Sequence, residues 1–272
     1  ADAFLGCKSL KSYENLRDMQ NSTLKVLDTL EKVREFKKDN YVVFLSHQWL
    51  GWGTPDPDNV HYRAMCNAVR SSQAMFATRT GNKARAPVLT SRRESDGGTE
   101  YESSLVAGKN VYVWVDFVSI SQEHRGMQSL AVWSLPCYAS VADCFVIVAP
   151  DAVHKESKSK CCHVTYNMRG WCRAEMLSKV CASGLRDMYL VGGDGTVMEP
   201  VANDTPLSFK LFEGDFSCCQ RLHTVGDKKC DKESLRLPAL GLYYFALTRA
   251  HDEYVGQVLE IMRAEREKFF PE

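Results

Sequence analysis

The chain has 272 residues, 44% of them hydrophobic and 25% charged, and its 34 basic residues balance 34 acidic ones. That length can bury a full core as one large domain or as one domain with an appendage, and the composition is that of an ordinary soluble globular protein. Zero net charge argues against nucleic acid or an anionic membrane as a partner held by bulk electrostatics. No run of about eighteen apolar residues is present, so no transmembrane segment is expected.

The N-terminus does not read as a secretory signal. Because the sequence starts at Ala1, a trimmed or organelle-targeted precursor stays open. The eleven cysteines are an odd count, and several (Cys66, Cys144, Cys172, Cys181) sit inside apolar patterns where cysteine acts as a small hydrophobe. The expectation is a reduced intracellular, cytoplasmic protein rather than a disulfide framework. Cys161-Cys162-His163 and Cys218-Cys219…His223…Cys230 hold zinc-type ligands. Adjacent cysteines lack the two-residue gap that turns both thiolates toward one ion, so structural thiols and no metal are expected.

In chain order, Leu16, Met19, Leu24, Leu27, Leu30, Val33 and Phe36 recur at helical spacing, which predicts an N-terminal amphipathic helix within residues 1–40. A strand over Tyr41 to Leu45 follows, then a Gly/Pro/Asp loop over 51–59 and a helix from about Val60 to Ala77. Residues 78–109 are rich in Thr, Arg, Ser and Gly without periodicity and read as an exposed insertion. Further strands are predicted at Val111–Val115, Cys144–Val148 and Met188–Val191, with a helix around Ser129–Val141 and another carrying Trp171 and Glu175. Gly192-Gly193-Asp194-Gly195 reads as a tight turn and is too short for a phosphate loop. The region 199–272 is irregular up to Pro238 and then predicts one long helix from Leu240 to Phe270. Strands alternating with helices imply an α/β domain over 41–198, a mostly parallel sheet flanked by helices.

Parallel strands deliver their carboxyl ends to one crevice. Ser46, His47, Gln48 and Trp49 leave the first strand there, and Asp116, Phe117 and Ser119 leave the second. Trp171 and Glu175, four apart, share a helix face, with Trp171, Ala174, Ser178 and Cys181 as the inward stripe and Glu175 on its border. A carboxylate there is half desolvated, and an indole one turn away can stack on a flat ligand. Taken singly, each residue has a plainer use: Glu175 as a surface acid, Trp171 as a core anchor, His47 as a hydrogen-bonded structural histidine, Asp116 as a turn cap.

Phe44-Leu45-Ser46-His47, then Trp114-Val115-Asp116, then Trp171-Cys172-x-x-Glu175 together resemble the Toll/interleukin receptor homology (TIR) domain, which carries a Phe-Ile-Ser-type first strand and a later Trp-Cys-x-x-Glu helix. Val113-Trp114-Val115-Asp116…Ile120-Ser121-Gln122 and Arg169-Gly170-Trp171-Cys172-Arg173-Ala174-Glu175 are similar to the two motifs of a TIR relative, the fungal heterokaryon-incompatibility domain. The resemblance covers about residues 41–190. Ser119 stands where the fungal pattern has cysteine, the insertion is longer than usual, and 199–272 fits neither family.

The resemblance implies a flavodoxin-like, TIR-like fold and, for catalytic members, cleavage of the nicotinamide–ribose bond of NAD as substrate, without a further cofactor. Glu175 would be the catalytic residue, and Ser46, His47, Gln48, Trp49, Asp116, Phe117, Ser119 and Trp171 would line the substrate site. Self-association or a larger protein assembly would be the partner. Two other readings stand beside it: a non-catalytic TIR-like scaffold acting through protein contacts, and a nucleoside ribosyltransferase-like enzyme.

Overall fold

The computed structural model describes residues 1–20, 22–81, 110–223, 230–264 and 266–269. Four parallel strands, β1 (Asn40–His47), β2 (Asn110–Trp114), β3 (Cys144–Val148) and β4 (Met188–Val191), and a short antiparallel edge, β5 (Glu199–Pro200), form one sheet in the order β2-β1-β3-β4-β5. The strands are short, β-branched and aromatic runs, and β3 is buried along its whole length, as expected of a central parallel strand.

Period-two alternation sorts the side chains. On one face Phe44 stacks on Trp114 (ring centroids 4.3 Å) and on Phe145 (5.0 Å), its register partners on the two neighbouring strands. That face packs against α4 (Leu135–Val141) and α5 (Gly170–Ser183), and behind α5 against α6 (Arg236–Thr248) and α7 (Glu253–Ala264). On the other face Val43, Leu45, Val146 and Val148 meet α2 (Val60–Gly81). Leu235, Ala239, Leu242, Val255, Val258 and Met262 share one core with Phe145, Met176 and Leu177, so the C-terminal region completes the core of the α/β unit.

Several predicted helices are divided. The helix expected across residues 9–37 is a single turn at Tyr13–Arg17 and a separate α1 (Leu30–Asp39), each with its own cap: Ser12 accepts from the Asn15 N–H and Thr29 from the Lys32 N–H. Within the first turn Glu14 is buried, one carboxylate oxygen taking the Ser121 hydroxyl and the N–H groups of Gln122 and Glu123. The helix expected at Ser129–Val141 is α3 (Arg125–Trp133) followed by α4, with Pro136 in the first turn of the second, where a missing N–H costs nothing. The long C-terminal helix breaks at Arg249–Asp252, where Asp252 accepts from the Val255 N–H and starts α7. The inward stripe predicted on α5 is also too narrow. Cys172, Met176, Leu177, Lys179 and Val180 are buried along with Ala174, Glu175, Ser178 and Cys181, because the sheet lies on one side and α6 and α7 on the other.

α2 runs from Val60 past the predicted end to Gly81. The expected insertion falls almost wholly outside the described residues. The Gly192–Gly195 turn is confirmed: Gly193 and Gly195 take φ of +54° and +78°, and the Gly195 N–H bonds the Gly192 carbonyl at 2.9 Å. Among the described residues no helix is long and apolar enough to cross a membrane.

Candidate functional site

The strand order reverses between β1 and its two neighbours, so the carboxyl ends of β1 and β3 flank the position where open parallel sheets form a crevice. Alternation along β1 sends consecutive side chains to opposite faces of the sheet. Ser46 follows Phe44 onto the α5 face, and His47 follows Leu45 onto the α2 face.

On the α5 side, Ser46 donates its hydroxyl hydrogen to a Glu175 carboxyl oxygen across 129 residues of sequence. With that proton committed, Tyr166 donates to Ser46 Oγ at 2.5 Å. All three side chains are buried, Glu175 at 8% exposure. Burial pushes the Glu175 carboxyl well above the usual carboxylate range, the negative Asp116 adds to the rise, and the Ser46 bond offsets part of it. Burial likewise drives the Tyr166 hydroxyl and the neighbouring Cys172 thiol upward, so this face of the sheet favours protonated, neutral groups.

On the α2 side, Asp116 collects polar partners. His47 Nε2 lies 3.1 Å from Oδ1, the Trp49 indole N–H reaches Oδ2 at 2.7 Å, and the Phe117 backbone N–H reaches Oδ1 at 2.6 Å. Burial alone would raise this carboxyl; His47, Trp49 and Phe117 outweigh it and hold Asp116 below the usual range. His47 Nδ1 faces His61 Nδ1 at 3.2 Å. Burial foremost, with the neighbouring His47 ring acting in the same direction, keeps His61 well below the ordinary histidine range. One arrangement with both rings neutral satisfies the chain: His61 Nδ1–H donates to His47 Nδ1, and His47 Nε2–H donates to Asp116. His61 Nε2 is then a buried acceptor without a partner.

His61 owes its place to Asp56, whose carboxylate caps the start of α2 by accepting from the His61 N–H at 3.1 Å and the Tyr62 N–H at 2.6 Å. Gln48 turns toward Thr165 Oγ1 (3.0 Å) and fixes the segment leading to Tyr166. Trp49 and Phe117 meet edge to face at 5.8 Å over the mouth of Asp116.

The fold therefore gathers Ser46, His47, Gln48, Trp49, Asp116, Phe117 and Glu175 around one strand edge. Ser119 instead braces its own turn by accepting from the Val115 N–H. Trp171 points into the C-terminal region, its indole N–H donating to Asp231 at 3.1 Å and its ring edge-on to Phe216. Tyr166 and His61 were not expected. The residues between Asp56 and His61 read as a helix start, which could have flagged His61, whereas nothing in sequence spacing marks Tyr166. A cavity of about 1230 Å³ lies away from this cluster, past the β2 edge beneath the N-terminal segment, and of the expected site residues only Ser119 borders it. Titratable chemistry is concentrated at the β1 edge, so the cluster there is the candidate site.

Comparison with known proteins gave no match to a family model, a curated sequence or a solved structure.

Proposed function

We propose that the chain is a TIR-like NAD glycohydrolase or cyclase that cleaves the nicotinamide–ribose bond with one glutamate, Glu175. The observation that carries this reading is the Glu175 carboxyl held beside Ser46 at the carboxyl end of β1, where the strand order reverses. The parallel order β2-β1-β3-β4, of the kind found in flavodoxin-like sheets, supports the same reading.

The chemistry requires little else. When the C1′–N bond breaks, its electron pair goes to the pyridinium nitrogen and nicotinamide leaves neutral, so no general acid is needed. The ribosyl oxocarbenium left behind needs an adjacent negative charge until water, or a nucleophile of the same molecule, adds at C1′. Glu175 supplies that charge, and a cationic pyridinium drawn next to it favours its ionised form. Ser46 and Tyr166 orient the carboxyl; Asp116, held ionised by His47 and Trp49, adds to the field. Because the resting carboxyl is raised by burial, kcat/KM rises with pH as Glu175 ionises.

A second reading rests on the same side chain. At 8% exposure and bonded to Ser46, Glu175 also suits a non-catalytic assembly subunit in which the acid is a structural group. Incubating the purified chain with NAD and measuring nicotinamide separates the two. The enzyme reading expects release by the parent and none by a folded Glu175→Ala variant. Release that persists in that variant refutes it. A parent that self-associates yet releases no nicotinamide, alone or assembled, leaves the assembly reading.

A further inference from the structure

A second cluster lies on the far side of α5, in the region that resembled no family. Cys218 and Cys219 sit on a single helical turn, Ser217–Gln220, and Cys230 immediately precedes the turn Asp231–Ser234. Their sulfurs form a triangle with sides of 3.9 Å (Cys218–Cys219), 3.9 Å (Cys218–Cys230) and 3.6 Å (Cys219–Cys230). It is the one group of three potential metal ligands this close among the described residues. The expectation from sequence set this group aside because adjacent cysteines lack the two-residue gap that turns both thiolates toward one ion. The fold brings a third thiol to them from eleven residues away.

We propose that Cys218, Cys219 and Cys230 bind one zinc ion as three thiolates, with water at the fourth corner. The triangle has the right size. Sulfurs bonded at about 2.3 Å in a tetrahedron stand roughly 3.8 Å apart, between the shortest and longest sides here. One outer contact is already in place: the Asp231 backbone N–H points at Cys218 Sγ at 3.4 Å, the kind of bond that orients and stabilises a metal-bound sulfur. The backbone N–H of His223 bonds the Cys218 carbonyl at 2.9 Å and closes the turn that carries both cysteines. On binding, the three thiols lose their protons to solvent and nothing is oxidised or reduced.

The ion would staple the Ser217–Gln220 turn to Asp231, the residue that holds the Trp171 indole on α5. It is a structural site: it braces the C-terminal segment against the helix carrying Glu175 and stands independently of the proposed NAD chemistry.

The test uses the full chain, reduced and stripped of metal. Zinc titrated in competition with a chromophoric chelator should bind at one ion per chain and raise the thermal midpoint. Cys218→Ser, Cys219→Ser and Cys230→Ser should each abolish that stoichiometric binding, while Cys137→Ser, an exposed thiol elsewhere, should not. If the cysteine variants do not fold, X-ray absorption of the zinc-loaded parent decides by itself, with three sulfur neighbours expected at about 2.3 Å. A parent that takes up no stoichiometric zinc, fewer than three sulfurs around the ion, or a disulfide within the trio that survives reduction would each overturn the proposal.

Discussion

Gly170, the first residue of α5, should not tolerate even a methyl group. A β-carbon built there falls 2.0, 2.4 and 2.5 Å from three ring carbons of Phe216, more than 1 Å inside ordinary contact. Phe216 has no exposed surface and its ring is hemmed by Trp171, so it cannot swing aside. Behind it, the Gly214 backbone approaches just as closely, and a β-carbon on Gly214 would sit 2.6 Å from Gly170 Cα. The strand-like exchange of the Gly170 N–H to the Asp215 carbonyl and the Asp215 N–H to the Met168 carbonyl pins the two segments together. Overpacking of this kind costs about 1–3 kcal/mol. The helix propensity gained over glycine, at most about 1 kcal/mol in a helix interior and less at its first residue, offsets a fraction of that. Gly170→Ala should therefore lower the urea midpoint with an unchanged m-value, and lower the thermal midpoint by about 2–4 °C per kcal/mol. Phe216→Ala alone should cost about 3–5 kcal/mol. In that background the alanine at 170 has room, so the double variant should be less destabilised than the sum by about the overpacking cost. A Gly170→Ala chain within about 0.5 kcal/mol of the parent, or strict additivity with Phe216→Ala, would refute the packing argument.

Two pH profiles test the buried charges. Glu175 has a folded-state pKa raised by burial, so its protonated form contributes stability that is whole below the ordinary glutamate range and is lost as pH rises toward the folded value. Glu175→Gln should accordingly be more stable than the parent at neutral pH, with the gap closing in acid; a variant no more stable at neutral pH would show that the carboxyl is not strained. Lys179 is buried on α5, donates to the Ala142 carbonyl at 3.2 Å, and is pulled down to about 8 by burial. Below pH 8 its charge opposes folding, and stability returns as pH climbs from there toward the ordinary lysine range, so Lys179→Met should be stabilising at neutral pH and progressively less so in alkali. Chemical denaturation across pH reads both, and a flat difference for Lys179→Met would remove that account.

The sheet was legible because parallel strands must be apolar on both faces, and β3 and β4 were predicted with the bounds they have. Helix lengths were less so. Hydrophobic spacing continues across Arg17–Leu30 and Thr248–Glu253, while the breaks depend on single caps, Thr29 and Asp252, that look like any other polar residue in sequence. The candidate site followed a similar line. The end of β1 and Glu175 could be read from motif order, and alternation alone puts Ser46 on the helix-bearing face of Phe44. Tyr166, 120 residues from Ser46, arrives through a loop whose path only tertiary packing sets. Trp171 shares a helix face with Glu175, yet its indole is claimed by Asp231, a partner 60 residues on. Cys230 was visible in sequence beside Cys218 and Cys219, but spacing alone does not show that the fold returns its sulfur to theirs.

The division of labour at the tip of β1 has a further outcome. Neighbouring residues of one strand feed two compartments of opposite electrical habit, one keeping its acid charge-free and the other keeping its acid ionised. The backbone of β1 is the wall between them. A visitor bearing positive charge on the Ser46 side would draw a proton out of the first compartment, so its arrival would be accompanied by acid release into the medium. The wall is no insulator: the aspartate's charge raises the glutamate, so substitutions around His61 that retune the aspartate are felt by the glutamate as well.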